Sequence, residues 1–189
     1  MSPQKINSTS SFHSLSSSTL GEIRRSLLVW YKQNGRNLPW RHHFEPYPIW
    51  IAEIMLQQTQ VKTVIPYYQR WLSQFPTIEK LATADLQQVL KLWQGLGYYA
   101  RARNLHAASQ EILQRHGGIF PHQIKDVLAL PGIGRTTAGG ILSAAFNQPT
   151  AILDGNVKRV LARLTALQLP PAKATKQLWQ LSETLLDPE

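Results

Sequence analysis

Apolar residues in this chain return every third or fourth position, and nowhere does alternation at period two run long enough to make a strand. That property confines the chain to an all-α fold of packed helices. Leu20, Ile23, Leu27, Leu28 and Tyr31 mark a first helix that begins near Thr19 and stops at Asn34-Gly35. Ile49 to Gln60 predicts a second, and Pro66 is expected at the opening of a third that carries Tyr67, Tyr68 and Trp71. Thr83 is expected to cap a helix holding Leu86, Val89, Leu90 and Trp93, ended by Gly95 and Gly97. Further helices are predicted over 99–115, 121–130, 135–145, 156–167 and 172–186. With 189 residues, 43% of them apolar, the chain can bury a core. The Ser-rich residues 1–18 are expected as a loose tail, 19–150 as a helical core and 151–189 as a second helical lobe.

The most informative local signal is Leu130-Pro-Gly-Ile-Gly-Arg-Thr-Thr-Ala138, two helical segments joined by a glycine turn. Gly132 and Gly134 permit the backbone angles of a tight hairpin, and their bare surface lets a phosphate reach unpaired N–H groups at the next helix's start. The segment, about 123–145, resembles the helix-hairpin-helix motif, which grips a DNA phosphate without reading sequence. A Pro-Gly turn between helices is also a common structural junction, so the motif alone leaves both readings open. A P-loop is a poor fit, because no lysine follows the second glycine, and no strand precedes the turn as a dinucleotide fold requires. Lys and Arg total 20 against 11 Asp and Glu, a net charge of +9 and a pI near 10.0, which suits a polyanionic partner through counterion release. The six Trp and six Tyr offer flat surfaces for bases, or simply a core.

Two carboxylates stand out. Asp154, in Ile152-Leu-Asp-Gly-Asn-Val-Lys-Arg-Val160, directly precedes a helix and taken alone reads first as an N-cap. Glu53, in Trp50-Ile-Ala-Glu-Ile-Met-Leu-Gln-Gln-Thr-Gln-Val61, shares a helical face with Ile49 and Trp50, where burial would raise its pKa and suit it to general acid work. Periodicity equally allows an acid at the edge of the apolar stripe. There is no cysteine, which excludes disulfides and thiol chemistry, and the six histidines lack the i, i+4 spacing of a zinc site, so no metal is expected. No apolar run approaches a membrane span and no secretory segment opens the chain, so the expected location is intracellular, cytoplasmic or nucleoid, with no membrane partner.

Five segments in order, Leu38-Pro-Trp-Arg41, Glu53 to Val61, Trp93-Gln-Gly-Leu-Gly-Tyr-Tyr-Ala-Arg-Ala-Arg-Asn104, the hairpin, and Leu153 to Arg163, resemble the adenine DNA glycosylases of the MutY type within the helix-hairpin-helix glycosylase superfamily. The resemblance covers roughly residues 20–186. It implies the helix-hairpin-helix glycosylase fold of two helical lobes, the second truncated, and removal of adenine mispaired with 8-oxoguanine or guanine from double-stranded DNA, in a monomer. Glu53 and Asp154 would be the catalytic carboxylates, with Asn156 orienting Asp154 and the Thr136 hydroxyl near the sugar. Thr136 stands where the bifunctional endonuclease III branch has a nucleophilic lysine, so hydrolysis without strand cutting is implied. Arg41 would line the base pocket, Gln57 and Tyr98 would enter the duplex, and Gly132, Gly134, Arg135 and Lys158 would meet the DNA backbone. Arg101, Arg103 and Arg159 are further candidates for phosphates. The family typically carries four cysteines holding a [4Fe-4S] cluster and a C-terminal domain that helps recognise 8-oxoguanine; this sequence has neither, so no cofactor is expected in it and its second lobe is expected to be incomplete. Two other readings stay open: an inactive DNA-binding remnant, and a related glycosylase acting on T·G mispairs.

Overall fold

The computed structural model describes residues 16–42 and 44–187, and all regular structure among them is helical. Ten α-helices follow in order: α1 (Ser17–Asn34), α2 (Pro46–Leu56), α3 (Val61–Gln74), α4 (Ile78–Ala82), α5 (Leu86–Trp93), α6 (Ala100–His116), α7 (Ile124–Ala129), α8 (Arg135–Phe146), α9 (Gly155–Leu164) and α10 (Thr175–Thr184). A short 3-10 turn, Pro39–Arg41, stands between α1 and α2. The first fifteen residues of the expected tail lie outside the described residues, but Ser16 to Ser18 do not belong to a tail. Ser16 Oγ accepts from the Thr19 N–H at 3.2 Å and caps α1, so the helix starts a few residues early.

Apart from Glu53, α2 is apolar on every side, as expected of a helix buried nearly all round, and it packs against α3, α6 and α8. Around it a large core gathers Trp50, Trp71 and Trp93, all fully buried, with the Trp71 and Trp93 rings edge-to-face at 5.4 Å. A second, smaller core unites Leu153, Leu161, Ala174, Leu178 and Leu181 between α9 and α10. Polar contacts tie the small core to the rest. Arg24 donates to the carbonyls of Thr184 at 2.8 Å and Leu185 at 3.3 Å, Ser182 Oγ donates to the Ile152 carbonyl at 2.7 Å, and Arg135 pairs with Glu183.

Three local expectations are corrected. α3 begins at Val61, so Pro66 lies inside it; the lost N–H bond is tolerated because Val64, Tyr68 and Trp71 of the same helix are buried in the large core. Thr83 does not start a helix but ends one, α4, which the sequence reading passed over: Thr77 caps its start and the Thr83 hydroxyl returns to the Glu79 carbonyl at 2.7 Å. The cap of α5 is Asp85, whose carboxylate accepts from the Gln87 N–H at 2.7 Å. α4 has five residues, too short to show a helical period before α6 buries Ile78 and Leu81. α9 stops at Leu164 rather than near Leu167, because Ala166 adopts a left-handed backbone with φ 46°.

Candidate active site

Glu53 sits in the middle of α2, between buried Ala52 and Ile54, and its carboxylate reaches out against α8. A β-carbon on Gly140 would stand 2.9 Å from Glu53 Oε2, so the bare backbone there gives the carboxylate its room. The side chain lines a cavity of about 370 Å³ whose other walls include Leu38, Trp40, Arg41, Ile49 and Leu56, a size suited to a small organic ligand. Two ion pairs occur among the described residues, Arg115–Glu111 and Arg135–Glu183, and neither involves Glu53. Burial first, and the nearby Asp154 charge second, together raise its pKa to about 7.

Asp154 is held differently. It is the N-cap of α9, exposed, with one carboxylate oxygen accepting from the Val157 N–H at 2.7 Å and the other facing Asn156 Nδ2 at 3.3 Å. Asn156 is itself held by Arg159, which donates to its Oδ1 at 2.9 Å. The cap reading and the site reading of Asp154 are thus compatible: capping orients the carboxylate, and its field is felt by Glu53. The small core supplies Asp154 and the large core Glu53, so the site lies where the two meet.

The remaining candidates divide by position. Arg41 joins Glu53 at the cavity, its guanidinium donating to the Arg36 carbonyl at 3.0 Å and lying 5.2 Å from the Tyr31 ring centre. Thr136 is half-buried in the first turn of α8; the next residue, Thr137, receives a hydrogen bond from Gln57 Nε2 at 3.1 Å. Tyr98 is exposed at a loop tip with φ 47°. Gly132 has φ 79°, and a β-carbon there would come within 2.8 Å of Asn104 Cβ, so the hairpin needs glycine at this position. Gly134 does not share that requirement: its backbone is extended, φ −93° and ψ 173°, and the space beside it is open. Its value is the bare approach to the start of α8. Lys158 is half-buried on the first turn of α9, while Arg103 and Arg159 are exposed.

Two arginines expected at phosphates have other engagements. Arg135 lies 3.8 Å from the Trp179 ring centre and pairs with Glu183, which ties α8 to α10. Arg101 is buried beneath the loops on either side of it, so it does not present its charge to solvent. Gly140 and Trp179 were missed by sequence reasoning. The Gly139-Gly140 pair inside a helix was the available signal for the first; Trp179 had none beyond its place on an amphipathic helix.

A helix-hairpin-helix joined to helices that place a buried carboxylate beside a capped one defines a class of DNA-repair fold. The chain matches the family of HhH-GPD superfamily base excision DNA repair proteins over residues 51–184 and belongs to it. It is 48% identical to an adenine DNA glycosylase of Buchnera aphidicola subsp. Baizongia pistaciae over 85% of this chain and 46% of that one, and 45% identical to an adenine DNA glycosylase of Homo sapiens over 88% of this chain and 32% of that one. The chain therefore spans less than half the length of these curated relatives. Among solved structures it resembles a thermostable thymine-DNA glycosylase, with a TM-score of 0.79, 27% identity and coverage of 88% of this chain and 77% of that one. An endonuclease III–DNA complex shares the fold, with a TM-score of 0.69, 23% identity and coverage of 88% and 84%. The sequence has no cysteine, and among the described residues there is no group of three His, Cys, Asp or Glu that could hold a metal ion.

Proposed function

We propose that this chain is the base-releasing part of an adenine DNA glycosylase acting on adenine opposite 8-oxoguanine or guanine in double-stranded DNA. The observation that carries the reading is Glu53, a buried carboxyl with no ion pair among the described residues, lining a cavity with Trp40, Leu56 and Arg41 and raised to a pKa of about 7 by burial and by the field of a second carboxylate. Such a pair, pushed apart by environment, divides acid and stabilising roles. The target nucleotide leaves the stack and its base enters the cavity, because the glycosidic bond is out of reach inside a duplex. Glu53 gives its proton to adenine N7. The C1′–N9 bond then breaks with its electron pair moving to the base, and positive charge grows on the sugar beside the Asp154 carboxylate. Water adds to C1′ and its spare proton is taken up by a carboxylate. Thr136 offers no amine for a Schiff base, so the product is an abasic site in an uncut strand.

The identity to adenine glycosylases over most of the chain supports adenine as the base, and the net charge of +9 supports DNA as the partner. The test is single-turnover incubation of the 189-residue chain with duplexes carrying adenine opposite 8-oxoguanine, adenine opposite guanine, or thymine opposite guanine, followed by alkali. Scission only after alkali, in the adenine duplexes and not in Glu53→Gln, is the expected result. Release of thymine alone would transfer the activity to T·G mispairs, and duplex binding without base release would leave a DNA-binding remnant.

A further inference from the structure

One guanidinium, that of Arg101 in the first turn of α6, holds two loops at once. Its Nη1 donates to the carbonyls of Ile54 at 3.0 Å, Met55 at 2.9 Å and Gln57 at 2.6 Å. Its Nη2 donates to Thr59 Oγ1 at 3.1 Å and to the carbonyls of Leu96 at 3.1 Å and Gly97 at 3.3 Å. The first set belongs to the end of α2 and the 57–60 loop, where helix carbonyls lack intrahelical donors and favour a cation. The second adds Thr59 of that same loop and ties it to the loop between α5 and α6 through Leu96 and Gly97. The same guanidinium lies 5.3 Å from the Trp93 ring centre and 5.6 Å from that of Tyr98.

Each loop carries a non-glycine residue in left-handed backbone, Gln58 at φ 58° and Tyr98 at φ 47°. Such residues persist when their surroundings over-determine them, and they gather where a side chain must be presented in one direction. Here Trp93 Nε1 holds the Gly97 carbonyl at 3.0 Å and Gln57 holds Thr137 at 3.1 Å, each on one loop, whereas Arg101 reaches both loops. Tyr98 projects into solvent at 63% exposure, whereas the arginine that fixes its loop is buried. Lysine could not replace it, since an ammonium has three donors on one atom and no planar fork to span two loops.

We infer that Arg101 is a positioning residue that locks the Gln57 loop and the Tyr98 loop in one register, and so sets the preference for a mispaired over a fully paired duplex. The inference rests on the functional reading above for its consequence, but not for the coupling itself. Arg101 is buried behind the two loops and acts through them. Binding to paired duplex, driven by surface cations and the hairpin, does not depend on it.

The test compares the 189-residue chain with Arg101→Lys, Arg101→Met and Thr59→Ala by amide hydrogen exchange and by binding to paired and mispaired duplexes. In the arginine variants, exchange of amides 57–60 and 96–99 rises together, by about tenfold or more, while the α3 amides around Trp71 keep their protection. Affinity for paired duplex stays within about twofold and the preference for adenine opposite 8-oxoguanine falls about tenfold. Thr59→Ala removes only bonds on the first loop, the one from Arg101 and its own to the Gln57 carbonyl, so faster exchange at 96–99 in that variant reports coupling even if the arginine variants do not fold. Exchange that rises in one loop only, or not at all, overturns the inference, as does loosened loops with an unchanged mispair preference. A wild-type chain with no mispair preference would defeat the glycosylase reading, while joint loosening would still establish the clamp.

Discussion

Glu53 and Asp154 are carboxyl groups of nearly equal intrinsic acidity, yet the two regions that hold them differ in almost every physical respect. Glu53 rises from the central helix of a core with three fully buried tryptophans, and burial there raises its pKa. Asp154 stands exposed at a helix start, above a core of five buried residues, with a backbone N–H and an amide on its two oxygens. The deep core imposes a chemical state on its residue; the shallow one fixes only a direction. A site built across them gains an acid that keeps its proton near neutrality and a second carboxylate held in a fixed direction, which identical surroundings would not provide.

Removing the proton donor is the most severe way to break this contrast. Glu53→Gln is expected to slow base release by about a hundred- to ten-thousand-fold in single-turnover assays, with duplex binding retained. Next in size is an attack on the shallow region. Leu178→Ala, at a fully buried position of the small core, should cost about 2–5 kcal/mol locally. Exchange should rise across α9 and α10 while α2 to α8 stay protected, and base release should fall with Asp154 set loose; cooperative loss of protection everywhere would show that the two cores fold as one.

The charge on Glu53 gives a third effect, with a definite sign. Its pKa is about 7 in the folded chain against an ordinary 4.5, so the fold binds the extra proton and loses stability as pH rises through that window. The cost is absent below 4.5 and complete above about 7, where it reaches about 3 kcal/mol. Glu53→Gln is therefore expected to be more stable than wild type at pH 8 and no more stable at pH 4, by thermal melts across pH. Base release should fall on the alkaline side as Glu53 loses its proton, and Asp154→Asn should lower the pKa of Glu53 in a direct titration. The smallest effect concerns the exposed link between the regions. A double-mutant cycle on Arg135 and Glu183 should give about 1 kcal/mol or less, falling further in high salt, because both side chains are about half exposed.

Much of this was legible from residues alone. The helical period, the Pro-Gly-Ile-Gly turn and the Asp before a helix carry their structure in local geometry, and the described helices follow them closely. α4 was not legible, because five residues cannot display a period and its identity depends on α6. Pro66 misled for a related reason: propensity favours it at a helix opening, but burial of Val64 upstream outweighs the lost hydrogen bond. Arg101 and Arg135 look, as letters, like two more surface cations beside Arg103 and Arg159. Only their neighbours, separated from them by some forty residues, distinguish them.

The sequence by itself determined the all-α class, the hairpin and the residue types at the two carboxylate positions, since helix period, turn geometry and chemical identity are properties of short segments. The tertiary structure decided what those carboxyl groups are: that Gly140 of one helix makes room for Glu53 of another, that Glu53 is buried there, and that Asp154 lies close enough to be felt. Burial and electric field depend on what the rest of the chain brings near, and no local pattern encodes that distance.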